Sequence, residues 1–153
     1  AVTGEAMSHV RKSIRDNIVT TLTGLSITGS KVYRSRVYPL APNKLAGLTV
    51  YTKLESVDYA TTVRPRTLLR NLTVIVEAYV QGLSDYDSQL DAIAVEIEEA
   101  LYIDVTRGGF AKDTKVVGFD AEYSGDGDIP VASASFTVEV LYSTQESDAE
   151  TPR

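Results

Sequence analysis

His9 is the only histidine, and cysteine is absent from the 153 residues. The chemistry open to this chain is therefore that of carboxylates, hydroxyls, lysines and arginines. A two-histidine metal pair, a thiolate zinc site and a cysteine nucleophile are all excluded. A Ser–His–Asp constellation can be assembled on paper, but no nucleophile-elbow sequence occurs. His9 stands at the start of a predicted helix and reads as a surface histidine. Carboxylates are plentiful, yet Glu96/Glu99 and Asp120/Glu122 are close neighbours in sequence. Glycoside hydrolysis needs two carboxylates facing each other across a cleft, so these pairs read as solvated faces. Asp126-Gly127-Asp128 has the flavour of a calcium loop, but the chain continues into Ile129-Pro130-Val131 where an EF-hand needs further ligands. A hairpin turn explains the same residues. No phosphate-binding Gly-x-x-x-x-Gly-Lys loop occurs, and Gly108-Gly109 is too sparse to form one. No catalytic, cofactor-binding or metal-binding residue is expected, and no cofactor is implied.

Two basic stretches invite a binding role. Lys31-Val-Tyr-Arg-Ser-Arg-Val-Tyr38 interleaves bases with tyrosines, as single-strand nucleic-acid binders do. Its simpler reading is a strand whose arginines extend to solvent while Tyr33 and Tyr38 pack. Arg64-Pro65-Arg66 sets two positive heads beside a rigid turn, suited to gripping a protein carboxylate.

The elements that position these residues follow from periodicity. Val10, Ile14, Ile18 and Leu22 recur every four positions, which predicts an amphipathic helix over 5–23, ended by Gly24. Lys31–Arg36 reads as a short strand, and Tyr38–Gly47, with Pro39 and Pro42, as a loop. Leu48–Glu55 alternates, with Leu48, Val50 and Thr52 on one side. Arg66–Gln81 is the strongest strand, Leu72, Val74, Val76, Ala78 and Val80 sharing one parity. It exceeds the usual strand length, so this hairpin is expected to extend as an arm, with Ser56–Pro65 as its connection. Ser84–Tyr102 returns to helical spacing, capped by Ser84 or Asp85, and Glu98 and Glu99 oppose the dipole near its end. Two further strands, Lys115–Tyr123 and Val131–Thr144, are joined by the turn-rich Ser124–Pro130. In the first of them Val117, Phe119, Ala121 and Tyr123 share a face. Glu146–Arg153 has little to bury and is expected to fray.

The expected fold class is α+β: one mainly antiparallel or mixed sheet, two helices packed on one face, order α-β-β-β-α-β-β, with an extended hairpin arm. One domain over 1–147 and a flexible tail over 148–153 complete the organisation, since 153 residues suit a single core. Apolar residues form 43% and charged residues 24%, which excludes wholesale disorder. No apolar run is long enough for a transmembrane helix, and no basic region precedes an apolar core, so neither membrane nor secretion is expected.

Charge is unevenly divided. Residues 1–76 hold 11 Lys/Arg and 4 Asp/Glu, a balance of +7, whereas residues 77–153 hold 4 and 17, a balance of −13. The net charge of −6 argues against a nucleic-acid grip. Halves of opposite sign suit either a molecule whose acidic face meets the basic face of its neighbour or charges intermixed on one surface.

With the elements in this order, the chain resembles the tail terminator (minor tail, or tail completion) proteins of long-tailed, non-contractile bacteriophages. The stretches that carry the likeness are Arg15-Asp-Asn-Ile-Val-Thr-Thr-Leu-Thr-Gly-Leu25, Lys31-Val-Tyr-Arg-Ser-Arg-Val-Tyr-Pro39, Leu48-Thr-Val-Tyr-Thr52, Val63-Arg-Pro-Arg-Thr67, Leu90-Asp-Ala-Ile-Ala94 and Ser124-Gly-Asp-Gly-Asp-Ile-Pro-Val131. They span 8–147. The resemblance implies a virion protein, assembled in the host cytoplasm, that forms a homohexameric ring at the tube end next to the head. Such a ring stops tube polymerisation and offers a surface to the head–tail connector. Its partners would be further copies of itself, the tail tube protein and the connector or neck protein, with DNA passing through without tight binding. Arg34, Arg36, Asp58, Tyr59, Arg64 and Arg66 are the expected interface residues, and Glu96, Glu99, Asp126 and Asp128 the expected channel-facing acids. Another head–tail joining protein, or a small single-strand nucleic-acid-binding module, is the alternative.

Overall fold

The structure, a computed structural model, describes residues 8–34, 45–82, 84–124 and 130–153. Its elements are α1 (Val10–Leu22), β1 (Val32–Arg34), β2 (Gly47–Tyr59), β3 (Thr67–Gln81), α2 (Tyr86–Ile103), β4 (Asp113–Ser124) and β5 (Val131–Gln145). The fold is α+β in the expected order. Among the described residues one five-stranded sheet runs β1-β2-β3-β5-β4, antiparallel throughout except for the short parallel pair of β1 with Leu48–Val50 of β2.

Both helices lie on one face and share one core. α1 buries Val10, Ile14, Ile18 and Leu22, α2 buries Leu90, Ile93, Ile97 and Leu101, and both stripes follow the helical period. Beneath them lie Leu48 and Val50 of β2, the Leu72–Val80 parity of β3, and Ala132, Ala134, Phe136, Val138, Val140 and Tyr142 of β5. α1 ends where expected: Thr23 is extended and Gly24 adopts φ +99°, a conformation that costs a side-chain-bearing residue dearly. The cap of α2 is Asp85, whose carboxylate accepts from Gln89 instead of a helix amide.

Two β-bulges reverse the alternation on which the strand readings rest. In β2 the register steps from Thr52↔Val74 to Leu54↔Thr73, leaving Lys53 without an opposite residue. Even-numbered residues face the helices before Lys53 and odd-numbered ones after it, so Glu55 joins the covered face. In β4 the step from Val116↔Val138 to Gly118↔Thr137 leaves out Val117. Val117 therefore does not share a face with Phe119, Ala121 and Tyr123. Val116 takes that place and Val117 is half exposed.

β2 runs four residues further than its alternation suggested, to Tyr59, and pairs with β3 over that whole length. β5 keeps pace with β3 as far as Thr67↔Gln145. The extended hairpin is thus three-stranded up to its end, and only Ala60–Arg66 forms the loop at its tip. Glu146–Arg153, expected to fray for want of apolar residues, is instead held by backbone bonds: Glu146 N–H to Arg66 O at 2.8 Å, Val10 N–H to Ala149 O at 3.0 Å, and Arg153 N–H to Ser143 O at 2.9 Å. Unpaired main-chain groups of α1 and β5 supply the anchorage that side chains could not.

Candidate interaction surfaces

Where β2, β3 and β5 leave the cover of α1, a polar cluster replaces the apolar core. Glu55 accepts from Arg11 Nη2 at 2.8 Å, from Arg70 Nη1 at 2.9 Å and from the Tyr142 hydroxyl. Arg70 Nε also donates to Thr144 Oγ1 at 3.1 Å. Burial alone would push the Glu55 carboxyl up, but the bonds from Arg11, Tyr142 and Arg70 outweigh it and hold the carboxyl below its usual range. The Tyr142 hydroxyl is pushed up, by burial first and then by Glu55. His9 is half-buried at this cluster, not freely at the surface. Its Nδ1 accepts the Arg11 amide at 3.0 Å as the cap of α1, and its ring meets Tyr142 edge-on at 6.5 Å. Burial, then Arg11 and Arg70, lower its pKa against the opposing pull of Glu55. Arg11 of α1, Glu55 of β2, Arg70 of β3 and Tyr142 of β5 thus bond to one another inside the chain, so the cluster ties the arm to α1.

A second buried cation closes α2. Arg107 is fully buried, with φ +52°, and its Nη2 donates to the carbonyls of Leu101 (2.7 Å) and Asp104, while Nη1 reaches Asn17 Oδ1 on α1 at 3.3 Å. Glu98 and Glu99 do oppose the dipole, and Arg107 supplies the positive charge that no residue of the last turn provides.

The first exposed surface lies beside α1. Lys12, Arg15, Asp16, Arg34, Tyr51 and Thr52 line a groove of 560 Å³, next to the stretch of β2 beyond Val50 that β1 does not cover. Asp16 pairs with Lys12 at 2.8 Å and with Arg34, and Arg15 donates to Thr52 Oγ1 at 3.1 Å. Burial raises the Asp16 pKa, but Lys12, Arg34 and Arg15 together lower it below the usual carboxylate range. Three cations around one carboxylate leave the groove positive.

Toward the β4 edge the surface is acidic and partly apolar. α2 contains Asp87, Asp91, Glu96, Glu98 and Glu99 and no base. Its outward stripe joins Asp91, Val95, Glu98 and Tyr102, with Val95 53% and Tyr102 80% exposed. Between α2 and the edge strand β4 a groove of 320 Å³ is lined by Asp91, Glu98, Val116, Phe119 and Phe136 among others. Phe119, on the edge strand, packs edge-on to Phe136 at 5.3 Å yet stays half exposed.

Of the expected interface residues, Arg34 lies in the basic groove, and Asp58, Tyr59, Arg64 and Arg66 gather at the arm tip. The carboxylate that Arg64 and Arg66 meet is the chain's own Glu146, at 3.3 and 3.0 Å, and Arg66 stacks over Tyr59 at 4.5 Å. Of the expected channel acids, Glu96 accepts from the Ser26 amide at 2.8 Å and from its hydroxyl, while Glu99 is exposed. Arg36, Asp126 and Asp128 lie outside the described residues, as do Tyr38 and the calcium-like turn. Lys31 spends its ammonium on Leu45 O at 3.0 Å. Glu55, Arg70, Tyr142 and Arg107 were missed by sequence reasoning. A charged residue on the apolar parity of a strand, as Arg70 is beside Leu72, was the available signal. Among the described residues no group of three or more His, Asp or Glu is placed to hold a metal ion, and no helix is long and apolar enough to cross a membrane.

No family model and no curated protein matches this chain. Among solved structures, it is similar to a chain of one described as the virion of a native gene transfer agent (GTA) particle. The two are 20% identical with a TM-score of 0.43, over 92% of this chain and 98% of that one.

Proposed function

We propose that this chain is a structural protein of a phage-type virion that closes the tail tube as a ring. In this reading a homohexamer caps the finished tube, stops its polymerisation, and presents the opposite surface to the head–tail connector. The observation that carries it is the sorting of charge toward opposite edges of one sheet. The basic groove at Lys12, Arg15 and Arg34 stands beside α1, and the base-free helix α2 lies on the β4 side. A molecule with unlike sides associates head to tail, and such contacts close into rings when the rotation per subunit allows. The sequence resemblance to tail terminators points the same way. Acids left on the surface, Glu99 among them, suit a channel that DNA must traverse without sticking.

Mass measurement of the purified chain and electron microscopy of tubes grown with and without it test this reading. Rings in solution or at tube ends, with tube growth arrested, are the expected result. Unrestrained tube growth and no ring in either setting would overturn it. The nucleic-acid alternative requires tight, salt-sensitive oligonucleotide binding, which the net charge of −6 disfavours.

A further inference from the structure

We infer that the basic groove on α1 and β1 is the receptor for the outward stripe of α2 in a second copy of this chain. The assignment rests on the ring reading above and names the two surfaces that make it. The groove offers Lys12, Arg15 and Arg34 around the single carboxylate of Asp16, with the Lys12 and Arg34 side chains 55% and 57% exposed. The stripe offers Asp91 and Glu98 on one line of the helix with Tyr102, i, i+7 and i+11 apart. Neither carboxylate meets a base on its own helix, because α2 has none.

Three observations choose a second copy as the occupant. The signs of the two surfaces are complementary, a net positive groove against a helix of five acids. On the one covered face they lie toward opposite edges of the sheet, α1 over β1 and β2, α2 over β3 and toward β5 and β4, so the groove of one chain and its own stripe point to different edges. The stripe also contains what an interface centre needs: Tyr102 at 80% exposure, a large rigid anchor with a polar tip, flanked by charges that fix register. Nucleic acid could fill the groove but would be repelled by the stripe. A self-contact uses both.

The test is a charge-swap with the full chain. One variant reverses the groove (K12E with R34E), the other the stripe (D91K with E98K). All four side chains lie at the surface, and unchanged thermal melts establish that each variant folds. Each alone sets like against like, and its dissociation constant for self-association should rise at least tenfold in sedimentation or light scattering. Mixed one to one, reversed groove meets reversed stripe and native groove meets native stripe, so assembly should return. The Y102A variant should weaken association without changing its salt dependence, whereas the native contact should weaken between about 50 and 500 mM salt as screening shortens to a few ångströms. Variants that assemble like the native chain, or a mixture that stays dissociated, overturn the assigned surfaces and leave the ring reading standing. A native chain monomeric at every concentration, and absent as a ring from tube ends, overturns both. Oligonucleotide binding lost in K12E/R34E with self-association unchanged would give the groove to nucleic acid and also overturn the proposal.

Discussion

Glu55 on β2 and Arg70 on β3 sit one diagonal step apart on the helix-covered face, with Arg70 Nη1 2.9 Å from Glu55 Oε2. Both side chains are almost wholly buried, at 7% and 10% exposure, where apolar residues would be the default. The pair exists because the bulge at Lys53 turns Glu55 inward and because Arg11 and Tyr142 complete its shell. Arg70 and Arg11 would each be left short of a partner without it.

Removing the carboxylate should therefore cost more than an exposed ion pair would. The Glu55→Ala variant is expected to lose about 3 kcal/mol, the lower end for a broken buried pair because Arg11 is a third exposed and partly screened. At this chain length that is a fall in melting temperature of roughly 6–12 °C. A fall under 2 °C would mean that the cluster contributes nothing net.

The same group sets an acid dependence. The folded pKa of Glu55 is held below its ordinary 4.5, so its contribution is present in full above that value and is lost as pH falls through the folded pKa. The stability gap between the native chain and Glu55→Gln should accordingly be widest near neutrality and shrink steadily below about pH 4.5. Urea unfolding at a series of pH values measures it. A gap that widens on acidification would contradict the sign.

Arg107 is expected to be the most sensitive residue beyond the strands and helices. Arg107→Met forfeits bonds to Leu101 O, Asp104 O and Asn17 and should cost about 2 kcal/mol. Arg107→Lys should recover little of it, since a single ammonium cannot fork to the helix end and to α1 together. Chemical unfolding of the two variants, with amide exchange at the last turn of α2, gives the comparison. Equal stability of Lys and Arg would refute the forked geometry.

Gly82 marks a close approach of main chains. A Cβ there would stand 2.7 Å from the Tyr123 ring and 2.9 and 3.1 Å from Cβ and the carbonyl carbon of Pro130. The ring can turn away, but the Pro130 main chain is tied by the Gly82 N–H at 2.7 Å. Gly82→Ala should destabilise by about 1–3 kcal/mol, visible as an earlier denaturant midpoint. An unchanged midpoint would show that the β5 start yields freely.

The arm tip should open far more readily than the strands behind it. Ala60–Arg66 is exposed except at Arg66, and its anchors are Ala60 N–H to Thr67 O and the Arg66 amide to Glu146. Hydrogen exchange there should outpace Leu72–Val80 by several orders of magnitude, and Glu146→Ala should speed it further at Arg66 alone. Protection at the tip equal to that of β3 in a monomeric sample would make the tip part of the rigid body.

Some of this was already legible in the order of residues. The four-residue recurrence of Val10, Ile14, Ile18 and Leu22, and the long single parity of Leu72 through Val80, determined two elements and their buried faces, because helix and strand periods translate spacing directly into direction. Gly24 declared the end of α1 for the same local reason. The opposed charges of the two halves were also visible, but not the surfaces on which they would appear.

Only the tertiary structure decided what alternation cannot encode. A bulge adds one residue without changing composition, so the inward turn of Glu55 and the displacement of Val117 by Val116 depend on the partner strand's register. Arg107 caps a helix that ended before it and touches Asn17, 90 residues away, a contact no local window contains. The C-terminal segment is likewise held by groups of α1, β5 and the arm loop that become available only after those elements assemble. Local periodicity determines which face a residue prefers. Register and long-range hydrogen bonding decide which residues occupy that face and which charges remain outside to meet a partner.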